Sequence, residues 1–301
     1  NYRTGTMDRL GLGYDALSAV NPGLIYCSIS GFGRTGPYSQ RAGFDLVAQG
    51  MSGMMTITGM PGSPPVKVGV PIADLNAGMF ATYGILTAYI HRLRTGKGQY
   101  LEVSLLESAL AYTVWESSVY FATGQVAGPL GSAHRLSAPY QALRTSDGHI
   151  NIGAPNQSNW ERFAKAIGRE DLLAGPRFAT NATRLENRAA LEVELEKTIS
   201  QRPSAHWLTA LEEAGVPAGP IYNMAEVWAD PQVQAREMRV DLDHPAAGRV
   251  GNIGLATKLY GTPGEVRSAA PLIGQHTDEA LAWAGYSPAD IAALRRDAVA
   301  G

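Results

Sequence analysis

The sequence predicts an α/β protein, and three stretches carry that expectation. Residues Leu24 to Ser30 form an unbroken β-prone run of the kind found in buried parallel strands. Residues 75–92 are apolar nearly all round, as a central helix is. Tyr100 to Leu105 alternates, with Leu101, Val103 and Leu105 on one face and Glu102 and Ser104 on the other. Strand, helix and strand in that order imply a largely parallel sheet flanked by helices.

Each element has local signals at its ends. Met7 to Val20 is a short helical pattern, broken by Gly11 and Gly13 and stopped at Asn21-Pro22. Val66 to Ile72 is a short β-prone run that ends near a lone carboxylate, Asp74, before the helix opens at Leu75. Ala77, Ala81, Gly84 and Ala88 make a small-residue stripe on that helix, suited to close packing. His91, Arg92 and Arg94 put cations at its C-terminus, and Gly96 suits the residue just beyond it. Residues 116–137 read as a Gly-rich irregular crossing. Beyond it, Tyr140 to Thr145, a turn at Asp147-Gly148 and His149 to Ile152 read as strand, turn and strand. Ser158 to Glu161 is a capping-box pattern opening a helix to Gly168, and helices are expected over Arg184 to Ile199 and Ser204 to Ala214. From about Asp241 the chain reads as loop-rich before a helix near Pro288 to Ala298.

Composition narrows the function classes. The 301 residues are 45% hydrophobic and 17% charged, with a formal net charge of −2, so neither nucleic acid nor an anionic membrane is an expected partner. No apolar run approaches the ~20 residues needed to span a bilayer. A single cysteine, Cys27, excludes an intramolecular disulfide and fits a reducing, cytoplasmic compartment. No signal peptide opens the chain. It begins with Asn1-Tyr2-Arg3-Thr4-Gly5, which reads like the middle of a domain and suggests a fragment.

Asp74 admits two readings. It is a helix cap, since Asp is among the best capping residues, or it is a carboxylate nucleophile kept ionised by the helix N-terminus. Gly31-Phe32-Gly33-Arg34-Thr35-Gly36 matches G-x-G-x-x-G, but Pro37 follows and no helical pattern does, so a tight loop at a strand end is expected rather than a dinucleotide site. Cys27, inside an apolar strand, reads as a core thiol. The six histidines show no metal-ligand spacing, and no metal site is expected. Arg3, Arg9, Arg34 and Arg41 either hold phosphates or are solvated surface charges.

Taken together, these segments resemble the class III CoA-transferase family, which includes formyl-CoA transferase and the α-methylacyl-CoA racemases. The resemblance is carried by Asn1 to Gly5, Arg9 to Tyr14, Ile25 to Gly33, Thr35 to Tyr38, Gly43-Phe44-Asp45, the Asp74 segment, Thr95 to Gln99 and Leu272 to Asp278. It implies a Rossmann-like large domain over 1–115, a linker over 116–137, a small α+β domain over 138–240 and a return to the large domain over 241–301. It also implies an interlocked homodimer. The family's nucleophilic aspartate falls on Asp74, and its CoA contacts fall on Asn1, Tyr2, Arg3, Arg9, Arg41, Ala42, Gly43 and Phe44. The expected substrates are an acyl-CoA and a carboxylate, with coenzyme A as substrate and no permanently bound cofactor.

Racemases of the family carry a histidine where this chain has Phe44, which favours transfer over racemisation. The glycine-rich active-site loop of formyl-CoA transferase has only Gly128 to Gly131 as a counterpart, and the texture around Gln40 to Asp45 and Gly274 to Thr277 is closer to dicarboxylate CoA-transferases. Family members begin with a further segment, about a quarter of their length, that is missing here. The alternatives are a 2-methylacyl-CoA racemase and a catalytically silent CoA-binding fragment.

Overall fold

The computed structural model describes residues 1–300, in two compact units, Asn1–Gly219 and Pro220–Gly301. The first unit opens with α1 (Thr6–Arg9), α2 (Tyr14–Val20) and β1 (Ile25–Ser30). It continues with α3 (Asp45–Met51), α4 (Met54–Ile57), α5 (Ile72–Thr95), β2 (Gln99–Ser104), α6 (Leu105–Leu110) and α7 (Val114–Thr123). β1 and β2 pair in parallel, with Ile25 opposite Gln99 and Ser30 opposite Ser104, so the α/β expectation is met. α5 packs against both strands and against α3 and α6. Its small-residue stripe forms the contact: Ala77, Ala81 and Ala88 are buried, and a Cβ on Gly84 would lie 2.7 Å from Leu101 Cδ1. Gly96, at φ 75°, closes the helix in the left-handed conformation that glycine adopts without strain. α5 is long, yet no helix among the described residues is long and apolar enough to cross a membrane.

Two expectations fail in this region. Residues 66–71 form no strand, and α5 starts three residues earlier than expected, so Asp74 lies inside its first turn. The side chain of Gln49 explains this: its Oε1 accepts from the Val68 N–H at 2.9 Å, and its Nε2 lies 3.4 Å from the Val70 carbonyl. An extended segment satisfied by a side chain needs no partner strand. The crossing at 116–137 is also not wholly irregular. Its first part belongs to α7, whose apolar and aromatic residues precede the glycines, and Gly124 at φ 72° ends that helix.

The rest of this unit holds a separate core. β3 (Tyr140–Arg144), β4 (His149–Gly153), α8 (Gln157–Ala166), α9 (Asp171–Ala174), α10 (Asn181–Glu186), α11 (Arg188–Ile199), α12 (Ser204–Glu213) and β5 (Ala218–Pro220) follow in order. β3 and β4 form the expected antiparallel hairpin. Leu143, Ile150, Ile152, Trp160, Phe163, Leu191, Leu195, Ile199 and Leu211 pack into one buried cluster. The cap of α8 is Asn156, which accepts from the Asn159 N–H at 2.8 Å, rather than Ser158. The helix expected over 184–199 is split at Asn187, whose Nδ2 donates to the Thr183 carbonyl at 2.9 Å and competes with the helical ladder.

The second unit comprises α13 (Met224–Ala229), α14 (Pro231–Ala235), β6 (Arg239–His244), β7 (Gly248–Ile253), α15 (Thr277–Trp283) and α16 (Pro288–Arg296). The β6–β7 hairpin replaces the loop expected from Asp241. Its turn is closed by His244 Nδ1, which accepts from the Ala246 and Ala247 N–H groups at 3.1 and 3.0 Å. Asp, His and Gly hid its alternation of Val240 and Leu242 from a hydrophobic reading.

Candidate functional site

Three backbone segments converge beside the C-terminal end of β1. The first is the N-terminal stretch. The Arg34 guanidinium donates to Ser28 Oγ at 2.8 Å and to the Tyr2 carbonyl at 3.0 Å, and Thr4 Oγ1 donates to the Ser39 carbonyl at 2.7 Å. Arg34, one of the candidate phosphate ligands, therefore braces residues 2–4. The second segment, 39–44, is seated by a glycine pair. A Cβ on Gly31 would meet Gly43 Cα at 2.7 Å, and one on Gly43 would meet Gly31 Cα at 2.6 Å. Only two residues without side chains allow those backbones to touch. The glycine loop after β1 leads into no helix until α3 begins at Asp45, so the dinucleotide motif lacks the helix terminus it needs.

The third segment is the start of α5. Its N-cap position is Pro71, which offers neither a capping side chain nor an N–H. The capping is done from outside, by Asp45 Oδ1, which accepts from the Ala73 N–H at 2.8 Å and lies 3.4 Å from the Asp74 N. Asp74 is therefore not the cap. Among the described residues no donor reaches its exposed carboxylate.

The sequence reading also expected the helix N-terminus to favour ionisation of Asp74. Instead its pKa is raised above the usual 3.8, first by partial burial and then by the charge of Asp45. The N–H groups that would have held Asp74 down are already engaged by Asp45.

These segments line a cavity of about 470 Å³. Seven of the nine candidate residues border it: Asn1, Tyr2, Arg3, Arg41, Gly43, Phe44 and Asp74. Arg9 and Ala42 do not. Arg9 Nη2 donates to Thr6 Oγ1 at 3.2 Å within α1. Arg41, on the cavity wall, lies 3.9 Å over the Tyr38 ring in a cation–π contact. Ser30, Gly78 and Leu105 complete the wall near Asp74 and carried no sequence signal of their own. Behind the wall, Ala48, Met54, Ala73, Ala77, Leu105 and Ala109 form a small buried cluster that fixes α3, α5 and α6 against one another. Cys27 is half-buried and its pKa is pushed up by burial, as for an unreactive core thiol.

In this parallel α/β unit Asp74, at the start of α5, thus borders the same cavity as Arg3 and Arg41. The chain belongs to CoA-transferase family III, whose sequence profile matches residues 1–277. It is 37% identical over 281 residues to the human (Homo sapiens) succinyl-CoA:glutarate CoA-transferase, covering 93% of this chain and 64% of that protein. It is likewise 37% identical over 301 residues to an acyl-CoA transferase of Fusarium pseudograminearum, covering 99% of this chain and 66% of that protein. The crystal structure of a CAIB/BAIF family protein from Brucella suis superposes with a TM-score of 0.81 at 38% identity, covering 94% of this chain and 74% of that one. The chain thus spans about two-thirds of the length of the first two relatives.

Proposed function

We propose that the protein transfers coenzyme A from an acyl-CoA to a free carboxylic acid, with a dicarboxylic acid as donor or acceptor, and that Asp74 is the covalent nucleophile. The observation that carries this reading is the single cavity that gathers Asp74 with Asn1, Arg3, Arg41 and Phe44 from three distant stretches. The relatives named for succinyl-CoA and glutarate support the choice of substrate class.

In the proposed reaction the Asp74 carboxylate attacks the thioester carbonyl, and the CoA thiolate leaves. A mixed anhydride forms. The thiolate then attacks the aspartyl carbonyl, releasing the donor acid and leaving CoA on Asp74 as a thioester. The acceptor carboxylate displaces the thiolate to form a second anhydride. Attack of the thiolate on the acceptor's carbonyl yields the new acyl-CoA and restores Asp74. Each step passes through a tetrahedral oxyanion, which backbone N–H groups near the start of α5 or in the glycine loop after β1 would stabilise.

Incubating the chain with succinyl-CoA and a panel of carboxylates tests this. New acyl-CoA species should be detected by mass spectrometry, with dicarboxylates preferred. In deuterated water a 2-methylacyl-CoA should show no enzyme-dependent α-exchange at the rate of transfer, because the Phe44 ring cannot move a proton. Exchange without transfer would favour a racemase.

The CoA phosphates fall to Arg3, Arg41 and Arg9 in this reading, since the guanidinium fork suits phosphate. Alanine at Arg3 or Arg41 should weaken CoA binding about tenfold or more by calorimetry. Arg9→Ala should have the smallest effect of the three, because Arg9 does not border the cavity. Unchanged affinity for all three would make them surface charges.

The assembly we propose is an interlocked homodimer in a cytoplasmic setting. Its support is the exposure of the apolar side chains Leu86 and Leu93 on α5 and Trp115 and Phe121 on α7, which a second copy would cover. Mass photometry at nanomolar concentration should find a dimer that separates only on unfolding. A folded monomer there would refute it.

A further inference from the structure

We propose that Asp45 is a positioning residue for Asp74: it occupies the first-turn N–H groups of α5, is held there by the buried amide of Gln49, and so leaves the Asp74 carboxylate unpaired at the cavity wall. This rests on reading Asp74 as the nucleophile.

A carboxylate at the third position of a helix ordinarily turns back onto the free N–H groups of its own first turn. In α5 those groups are accounted for without it. The Ile72 N–H donates to the Val70 carbonyl at 2.8 Å, the Ala73 N–H to Asp45 at 2.8 Å, and the Leu75 N–H to the Pro71 carbonyl at 3.0 Å. Pro71 has no N–H to offer in return. Asp45 thus removes the local partners that would fold Asp74 back. It stands 29 residues from Asp74 in sequence and needs its own brace. Gln49, one turn along α3 and fully buried, donates from Nε2 to Asp45 Oδ2 at 2.6 Å. The Gln49 amide cannot turn over, because its Oε1 is engaged by the Val68 N–H. One buried amide therefore fixes both the segment leading to α5 and the carboxylate that caps it.

The arrangement places two carboxylates side by side, and the charge of Asp45 bears directly on Asp74. The other charged groups on the cavity wall are Arg3 and Arg41. After the partial burial of Asp74, the charge of Asp45 is the second contribution that raises the pH at which Asp74 becomes a competent nucleophile. Asp74 is active when ionised, so transfer is lost as pH falls through a pKa held above the usual aspartate range.

The full chain carrying Asp45→Asn or Asp45→Ala tests this, read by carbon NMR titration of the Asp74 carboxylate and by the pH profile of transfer. Asp45→Asn removes the charge and keeps an oxygen for the Ala73 N–H, but turns its Nδ2 towards the Gln49 Nε2 donor and so gives up that brace. The Asp74 midpoint and the acid limb of kcat should both move to lower pH, with kcat on the plateau falling less than in the Ala variant. Asp45→Ala frees the helix donors, and kcat should fall about 10- to 100-fold with KM for acyl-CoA little changed. An unmoved Asp74 midpoint in the Asn variant, or an unaltered kcat in a folded Ala variant, would overturn the proposal and leave Asp45 a structural cap. Should the Ala variant not fold, the Asn titration decides alone. Because that titration needs no turnover, failure of the nucleophile reading, seen as transfer surviving Asp74→Asn, is distinguishable from failure of this one.

Discussion

Replacing Asp74 by Asn should lower CoA transfer by more than about 10³-fold while leaving the fold intact. Asn is nearly isosteric with Asp but carries no anionic oxygen to attack a thioester. The fold should survive for a reason visible only in three dimensions. The cap of α5 is Asp45, so changing Asp74 removes no hydrogen bond from the helix.

The pH sign follows from the raised pKa of Asp74. A carboxylate that is harder to ionise in the folded state weakens the fold as pH rises through the window between its ordinary and raised values. Above that window Asp74→Asn should therefore be neutral or slightly stabilising, a small rise in melting temperature measurable by calorimetry. Turnover by the wild type should leave an acyl or CoA adduct on Asp74 that hydroxylamine converts to a hydroxamate. If the folded Asn variant still transfers CoA at a substantial rate, the nucleophile lies elsewhere.

The largest expected loss of stability is at Arg184, far from the cavity. Arg184 is fully buried and, among the described residues, has no carboxylate partner. Its Nε donates to the Ala138 carbonyl at 2.6 Å, and its Nη1 donates to the Phe178 carbonyl and to Gln157 Oε1, each at 3.1 Å. The guanidinium carbon lies 5.2 Å from the centre of the Trp160 ring. Neighbouring Asn181 binds the Ala138 N–H and the Leu136 carbonyl, so α10 grips residues 136–138 from both sides. Arg184→Ala leaves the carbonyls of Ala138 and Phe178 unpaired beside a new void. That combination should cost about 3–5 kcal/mol in urea unfolding of the unit that contains it. Arg184→Met fills the void but not the hydrogen bonds, so it should recover part of the loss. A cost below about 1 kcal/mol for the Ala variant would show that the shell repacks around the gap.

Local chemistry made much of this molecule legible in the sequence. The parallel pair of β1 and β2 follows from an apolar run and an alternating one on either side of a helix. The end of α5 at Gly96 follows from a residue that alone takes a positive φ freely, and the β3–β4 hairpin follows from Asp147-Gly148 between two β-prone runs. Seven of the nine residues that the resemblance named border the cavity, while Arg9 and Ala42 do not and Ser30, Gly78 and Leu105 line it unannounced; a family resemblance carries the imprint of tertiary contacts that periodicity does not.

What the tertiary structure decided is who satisfies whom. Val66 to Pro71 has the composition of a strand but no partner strand, since a buried glutamine from α3 binds it instead. Asp74 has the look of a cap, yet a carboxylate from 29 residues upstream takes that role, because Pro71 brings no capping side chain and no N–H to the helix start and Asp45 follows the segment seated by the contact of Gly31 with Gly43. A backbone donor accepts any oxygen that arrives with the right geometry. Sequence fixes which groups require partners, and only the folded chain determines which partner reaches them first.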